Sequence, residues 1–113
     1  MALKPETLFR IKVRNDLKKL KIYFFAVQQK SMRGDADYCL CVGGRFVCLE
    51  LKASSRSRVE KLQLHKLCSI ERHGGIGIVT YPELWDATRE YISDLINEPN
   101  KEKPCQLKLP TKI

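Results

Sequence analysis

Two adjacent glycines, Gly43 and Gly44, separate two apolar runs and limit how the surrounding chain can pair. Gly-Gly pairs in this context are typical of the type I′ turn of a β-hairpin, in which both central residues have positive φ. A hairpin centred on these glycines places Asp37 directly opposite Glu50. Opposed side chains have Cβ atoms about 4.5 to 5.5 Å apart, and like charges there are destabilising unless a positive group lies between them. The turn therefore predicts a cluster of two carboxylates that needs a cation.

Lys52 belongs to the same cluster. It follows Glu50 by two residues, and side chains two residues apart on a strand project from the same face. The preceding run, 46–51, is apolar on both faces, which is typical of a strand covered on both sides. Charges at the end of such a strand are costly unless they are paired or bind a metal. A solvated ion pair is the common alternative for a short E-x-K motif. Two carboxylates beside a lysine nevertheless predict a metal-assisted centre for phosphodiester hydrolysis.

The segments 33–37 (Arg-Gly-Asp-Ala-Asp) and 43–52 (Gly-Gly-Arg-Phe-Val-Cys-Leu-Glu-Leu-Lys), followed by Gln63, resemble the VRR-NUC family of PD-(D/E)xK nucleases. The resemblance extends from Glu6 to Pro82, which is most of the chain. Ala36 stands where that family usually has proline. Proline would fix φ before the aspartate, so its absence bears on the stiffness of the site more than on its chemistry.

The resemblance implies an α/β fold with a restriction-endonuclease-like αβββαβ core, in which helices flank a mixed central sheet. It also implies a Mg²⁺-dependent DNA endonuclease, with Mn²⁺ as a substitute metal, that acts on branched DNA such as Holliday junctions. Stand-alone members of this kind, many of them encoded by bacteriophages, suggest a homodimer whose two sites cut two strands. The expected location is the cytoplasm of a bacterial or phage-infected cell.

Catalytic roles follow from the same resemblance. Asp37, Glu50 and the backbone carbonyl of Leu51 would hold Mg²⁺, which prefers oxygen ligands. Lys52 would orient or deprotonate the attacking water and offset charge on the phosphate. Gln63 would orient that lysine or contact phosphate, although a buried amide could also satisfy a backbone carbonyl.

A first helix is predicted from Pro5, a residue suited to the first helical position, to about residue 20. Its apolar stripe comprises Phe9, Val13, Leu17 and Leu20. Glu6 falls on this stripe, so it could reach a second metal ion. A favourable charge at the helix N-terminus explains it equally well.

The remaining elements follow from periodicity and capping signals. Strands are predicted at 22–27, in both arms of the hairpin and at 76–80, and a last helix at 82–97 with Leu84, Thr88, Tyr91 and Leu95 on one side. A capping box at residues 57–60 should start the middle helix, with Gly74 or Gly75 ending it. On that helix Gln63 would share a face with Val59, Leu67 and Ile70.

The resemblance implies one nuclease domain, 1–97, followed by a tail rich in proline and lysine, 98–113. With 113 residues, it is long enough for one core and too short for two. The prolines of the tail predict a peripheral strand, an extended arm or a disordered end.

Positive charge points to a polyanionic partner. The chain has 21 Lys and Arg against 13 Asp and Glu, a net charge of +8 and an isoelectric point near 9.4. Basic residues flank the carboxylates on both sides, namely Lys30, Arg33, Arg56, Arg58 and Lys61. Such an arrangement would hold nucleic acid through its phosphates. A solvated basic face without a partner is the alternative.

Five cysteines, three of them in predicted strands, suggest small buried apolar residues in a reducing compartment. Cys39 and Cys41, with only His65 and His73 available, lack the spacing of a structural zinc site. Residues 1–6 are not expected to form a signal peptide, and no apolar run approaches the length of about 20 residues needed to cross a membrane.

Two other functions remain open. A nuclease fold without catalysis could act as a nucleic-acid-binding module, which the basic loops alone would support. A subunit or inhibitor acting through protein contacts could use Trp85 and the proline-rich tail as anchors.

Overall fold

The structure is a computed structural model that describes residues 3–27 and 36–110. Within these residues, three α-helices flank one four-stranded mixed sheet, so the predicted α/β class is confirmed. The elements in chain order are α1 Pro5–Lys19, β1 Tyr23–Ala26, β2 Tyr38–Val42, β3 Arg45–Leu51, α2 Lys61–Arg72, β4 Ile76–Thr80 and α3 Trp85–Leu95, with 3-10 turns at Pro82–Leu84 and Cys105–Leu107. The described part contains no helix that is both long enough and apolar enough to span a membrane.

The sheet has the order β1-β2-β3-β4, with antiparallel pairing among the first three strands and parallel pairing between β3 and β4. The β2–β3 register runs from Val42 opposite Arg45 to Tyr38 opposite Leu49, as the hairpin prediction requires. Gly43 and Gly44 have φ values of 57° and 82°, the positive angles of a type I′ turn.

The two faces of the sheet have different roles. Val47, Leu49 and Leu51 of β3 project toward the main core, where they join the buried stripe of α1. Of that predicted stripe, Phe9, Val13 and Leu17 are buried, and Leu20 packs against the core while partly exposed. Alternation along the strand sends Cys48 and Glu50 to the opposite face. A hydrogen bond between Glu50 and Gln63 of α2 places α2 on that second face.

Helix α2 approaches β4 closely because Gly77 carries no side chain. A Cβ atom at this position would lie 3.0 Å from the Cβ of Leu67. The helix begins at Lys61, with Glu60 as its N-cap, so the predicted start at the 57–60 capping box is wrong. The Ser57 hydroxyl instead accepts a hydrogen bond from the Ser54 N–H, 3.2 Å away, within a turn of the preceding loop.

Trp85 joins α3 to α1. Its side chain is 1% exposed, and its Nε1 donates a hydrogen bond of 2.7 Å to Oδ2 of the buried Asp16. Lys12 and Arg89 lie 3.6 and 3.9 Å from the same oxygen. The interpretation of Trp85 as a surface anchor for a partner is therefore wrong, because the ring belongs to the core.

Residues 98–110, here called the C-terminal segment, pack against the domain. Leu107 is 1% exposed, and the carbonyl of Lys101 accepts a 2.9 Å hydrogen bond from the Tyr91 hydroxyl. Lys103 forms an ion pair with Glu71 and donates to the Gly77 carbonyl. A disordered end is thus the wrong alternative for this segment, which also contains the 3-10 turn.

All five cysteines are free, and only Cys48 is buried. The prediction of small buried residues is wrong for Cys41 and Cys105, which are exposed, while the other two are intermediate. Cys39 and Cys48 are cross-strand partners with sulfur atoms 3.9 Å apart. Burial, and secondarily the neighbouring Cys39, raises the pKa of the Cys48 thiol.

Candidate active site

Asp37 lies at a β-bulge just before β2. Its backbone N–H donates a 2.9 Å hydrogen bond to the Leu49 carbonyl, although Leu49 is already the register partner of Tyr38. Two residues on one strand thus oppose one on the other, which is how a bulge re-aims a side chain. The bulge displaces Asp37 from the position directly opposite Glu50 that an unbroken register predicts.

The Asp37 carboxylate is hydrogen-bonded to the backbone of β3, and the residue is only 4% exposed. Its Oδ2 accepts a hydrogen bond of 2.8 Å from the Leu51 N–H. Leu51 directly follows Glu50 in β3, so both acids belong to the same end of the sheet. The N–H and C=O of a strand residue point to the same side, so the Leu51 carbonyl is also directed toward β2 and Asp37.

Glu50, Lys52 and Gln63 form a connected cluster on the α2 face of the sheet. Glu50 is 3% exposed, and its Oε2 accepts a 2.8 Å hydrogen bond from Nε2 of Gln63. The Lys52 ammonium donates to Oε1 of Gln63 at 2.8 Å and lies 3.6 Å from Glu50 Oε2. Gln63, which was predicted to orient Lys52 or to contact phosphate, lies beside Lys52, and its amide links that ammonium to the Glu50 carboxylate.

The orientation of Gln63 is fixed by its place on α2. It occupies the third helical position, where its Oε1 accepts a hydrogen bond of 3.2 Å from the Glu60 N–H in a capping box. Because Oε1 receives the backbone donor and the lysine, Nε2 is left to face Glu50. The start of α2 therefore sets the geometry of the cluster.

Arg10 is a site residue that sequence reasoning missed. Its Nη2 donates to Oδ1 of Asp37 at 3.0 Å. Glu6, which was predicted to lie on the core-facing stripe, is instead exposed in the first turn of α1. This exposed position favours the interpretation of Glu6 as a favourable charge at the helix N-terminus. The only sequence signal for Arg10 is its position one turn after Glu6 on the same helix.

The loop between β3 and α2 supplies exposed positive charge next to Lys52. Arg56 and Arg58 are exposed in this loop, and Lys61 is exposed at the first position of α2. A cleft of about 240 Å³ opens beside Lys52, and its lining includes the hydroxyl-bearing residues Ser54, Ser55, Ser57 and Tyr81 and the cation Lys108. Lys30 and Arg33, the other predicted basic residues, lie outside the described residues.

The donor atoms at this end of the sheet fit magnesium better than zinc. Residues 3–27 and 36–110 contain no group of three or more His, Cys, Asp or Glu side chains that could hold a metal ion. Two carboxylates, those of Asp37 and Glu50, and the Leu51 carbonyl are the nearby oxygen donors. Mg²⁺ is commonly bound by one or two carboxylates and keeps several waters, whereas structural zinc sites require four protein ligands.

Comparisons of the chain with models of known families, with curated proteins and with solved structures give no match.

Proposed function

We propose that this protein is a metal-dependent phosphodiester hydrolase, and more particularly a DNA endonuclease of the PD-(D/E)xK type that its sequence resembles. The main support is that two buried carboxylates, Asp37 and Glu50, lie at one end of the sheet, and that the second of them has beside it a lysine whose ammonium is positioned by Gln63. Buried carboxylates are costly unless they are paired or bind a cation, and here Arg10 and Lys52 lie beside Asp37 and Glu50. Two such acids at one end of the sheet suit a site that binds a divalent cation.

Each residue of the site has a defined task in this proposal. Asp37, Glu50 and the Leu51 carbonyl would hold Mg²⁺, which when bound supplies Lewis acidity toward the phosphate and activates water. Lys52 holds its ammonium 3.6 Å from Glu50, where it can steady negative charge on the phosphate and exchange a proton with water. Gln63 keeps that ammonium in place.

The substrate in this proposal is DNA, and specifically branched DNA such as a four-way junction. A net charge of +8 and the exposed Arg56, Arg58 and Lys61 support binding to a polyanion. The preference for branches comes from the family resemblance. Free cysteines also agree with a reducing compartment, the cytoplasm of a bacterial or phage-infected cell.

A homodimer is proposed because two sites are needed to cut two strands of a junction. Strand β1 supplies a surface for it, since within the described residues it lies at the edge of the sheet and pairs only with β2. Its Tyr23 and Phe25 are 73% and 50% exposed. Apolar edge strands readily pair with a second chain. Sedimentation of Phe25→Ser beside wild type tests this surface, and a monomeric wild type would contradict the dimer.

The decisive experiment measures cleavage of a four-way junction and of plasmid DNA with and without Mg²⁺. We expect cutting only with metal, and faster cutting of the junction than of linear duplex. Mn²⁺ should also raise the melting temperature of the protein, because a ligand that binds the folded state stabilises it by mass action. Asp37→Asn should remove both effects while keeping the shape of the side chain.

Asp86→Asn is the matched control, since it removes an exposed carboxylate, and it should cut and respond to Mn²⁺ as wild type does. An Asp37→Asn protein with a wild-type response to Mn²⁺ would show that the metal site is assigned wrongly. Binding of DNA by wild type without any metal-dependent cleavage would favour a non-catalytic nucleic-acid-binding module.

A further inference from the structure

Arg10 donates to one of the two carboxylate oxygens through which Asp37 would bind the proposed metal. Its Nη2 lies 3.0 Å from Asp37 Oδ1, while Oδ2 of the same carboxylate accepts the Leu51 N–H. An arginine keeps its proton at any physiological pH, so it cannot make room by becoming neutral. A divalent cation bound at Asp37 would also repel the guanidinium at short range.

The two partners differ in freedom of movement. The side chain of Asp37 is 4% exposed and is bonded to the β3 backbone, whereas that of Arg10 is 50% exposed on the surface of α1. Rotation of the arginine side chain needs no change in the backbone of the helix. Arg10 is thus the member of this ion pair that can leave.

We propose that Arg10 is the resting counter-ion of Asp37 and that it moves to a phosphate of the nucleic acid when the divalent cation binds. This inference rests on the proposed function, because it requires both a metal and a polyanionic substrate. A guanidinium suits the second role, since its planar fork matches phosphate oxygens and can bond to two of them. Arg10 would reach the substrate from α1, while Lys52 acts from the opposite, α2 side of the sheet.

Binding of the metal and binding of the nucleic acid are coupled in this scheme. In the absence of DNA, Arg10 competes with the cation and weakens its binding. A phosphate that accepts Arg10 removes the competitor and so strengthens binding of the metal. By linkage, the metal strengthens binding of DNA by the same factor. The metal-free protein meanwhile avoids leaving the buried carboxylate of Asp37 without a counter-charge.

The first measurement is a calorimetric titration of the DNA-free protein with Mn²⁺. Arg10→Ala should bind Mn²⁺ about tenfold more tightly than wild type, the usual scale of a coupling between two sites. Its melting temperature should be lower than wild type in EDTA and should rise more on addition of Mn²⁺. Arg14→Ala removes the same charge one turn further along α1 and should bind Mn²⁺ as wild type does.

The second measurement is single-turnover cleavage of DNA at saturating Mg²⁺. Arg10→Ala should cut at least about tenfold more slowly, because the alanine side chain cannot hold a phosphate in position. Arg10→Lys should recover part of the rate, since it restores the charge without the planar fork. If Arg10→Ala does not fold, Arg10→Gln gives the same comparison while retaining a hydrogen-bond donor for Asp37.

Unchanged or weaker binding of Mn²⁺ by Arg10→Ala, in a protein whose wild type binds Mn²⁺ and cuts DNA, would overturn this inference and leave the proposed function standing. Tighter binding with an unchanged cleavage rate would overturn the transfer of Arg10 to phosphate. A wild-type protein that binds no Mn²⁺ at all would overturn both.

Discussion

The amide of Gln63 serves two purposes that a different side chain would separate. Its oxygen accepts the backbone N–H that begins α2 and the ammonium of Lys52, while its nitrogen donates to Glu50. Glutamate at this position could keep the helix cap but would place a second carboxylate against Glu50, and like charges at that range disfavour ionisation of both. Because the amide is neutral, it can bond at once to the Glu60 N–H, the Lys52 ammonium and the Glu50 carboxylate.

Lys52 provides the sharpest residue-level test of catalysis. Its side chain is 14% exposed and its ammonium lies between an amide and a carboxylate. Lys52→Ala should fold and bind DNA but cut about a hundredfold more slowly, the scale of losing a positioned acid–base group. Lys52→Arg should also be slow, because a guanidinium does not release its proton at neutral pH.

Single-turnover cleavage of a four-way junction, read beside gel shifts in Ca²⁺, separates the effect on chemistry from the effect on binding. Lys18→Ala serves as the control, because it removes an equal charge from an exposed position on α1. Cleavage at the wild-type rate by Lys52→Ala would mean that Glu50 and Lys52 form only a structural ion pair.

At the scale of single elements, the hairpin turn depends on a tertiary contact as well as on its own backbone angles. A Cβ atom on Gly43 would lie 2.3 Å from the Leu95 carbonyl oxygen at the end of α3, whereas one on Gly44 would have nothing within 4 Å. Turn statistics favour Asn-Gly in type I′ hairpins, which would place asparagine at position 43. The packing of α3 reverses that preference.

We therefore expect Gly44→Asn to cost less than about 1 kcal/mol in unfolding free energy, because asparagine tolerates positive φ. Gly43→Asn should cost about 2 kcal/mol or more, because the side chain must displace a backbone oxygen. Urea unfolding of the two variants gives the comparison directly. Equal stabilities would mean that the turn does not dock against α3.

The α1–α3 contact makes a prediction about acid stability. Burial alone would raise the pKa of Asp16, but the hydrogen bond from Trp85 and the charges of Lys12, Arg89 and Lys19 hold it below its ordinary value of 3.8. A carboxyl whose pKa is lowered by folding stabilises the native state above its unfolded pKa. That stability is lost as the pH falls through the folded pKa.

Asp16→Asn should accordingly lower the unfolding free energy by about 1 to 2 kcal/mol at pH 7, the scale of a hydrogen bond to a charged group. The difference from wild type should shrink as the pH falls below about 4, the range of an ordinary aspartate. Fluorescence reports the transition, because Trp85 is the only tryptophan. A difference that stays constant down to about pH 2, below that ordinary range, would show that the charge of Asp16 contributes nothing.

Across the whole molecule, the sequence predicted much of what depends on local chemistry, although its capping signal misplaced the start of α2. The hairpin register, the β4 strand and the apolar stripes of α1 and α3 follow from turn residues and periodicity. Contacts between distant segments were missed, such as that of Arg10 with Asp37 and that of Asp16 with Trp85. Nothing in their spacing along the chain shows that Arg10 would meet Asp37, or that Asp16 would meet Trp85. The bulge at Asp37 was also missed, because the hairpin turn fixes the register near the glycines and does not show where the regular pairing ends.

If the proposed binding of DNA is correct, Arg56 and Arg58, which are exposed on the loop that follows Lys52, should contact its phosphates. Changing both to Ala should weaken binding to every DNA tested. It should also reduce the slope of log affinity against log salt by about two, because each arginine that neutralises a phosphate contributes about one unit. Arg14→Ala with Lys18→Ala is the control of equal charge on α1. An equal change in slope for both double variants would reflect net charge rather than a contact.

Arg45 donates to the Gly74 carbonyl after α2 and to the Pro99 carbonyl of the C-terminal segment, at 2.8 and 2.7 Å. A single side chain thus links the hairpin turn, the end of α2 and the last part of the described chain. In native-state hydrogen exchange, the amides of the C-terminal segment should therefore open together with those of the hairpin, as one cooperative unit. The amides of the C-terminal segment would then exchange as slowly as those of the hairpin, although its prolines also suited an extended arm or a disordered end.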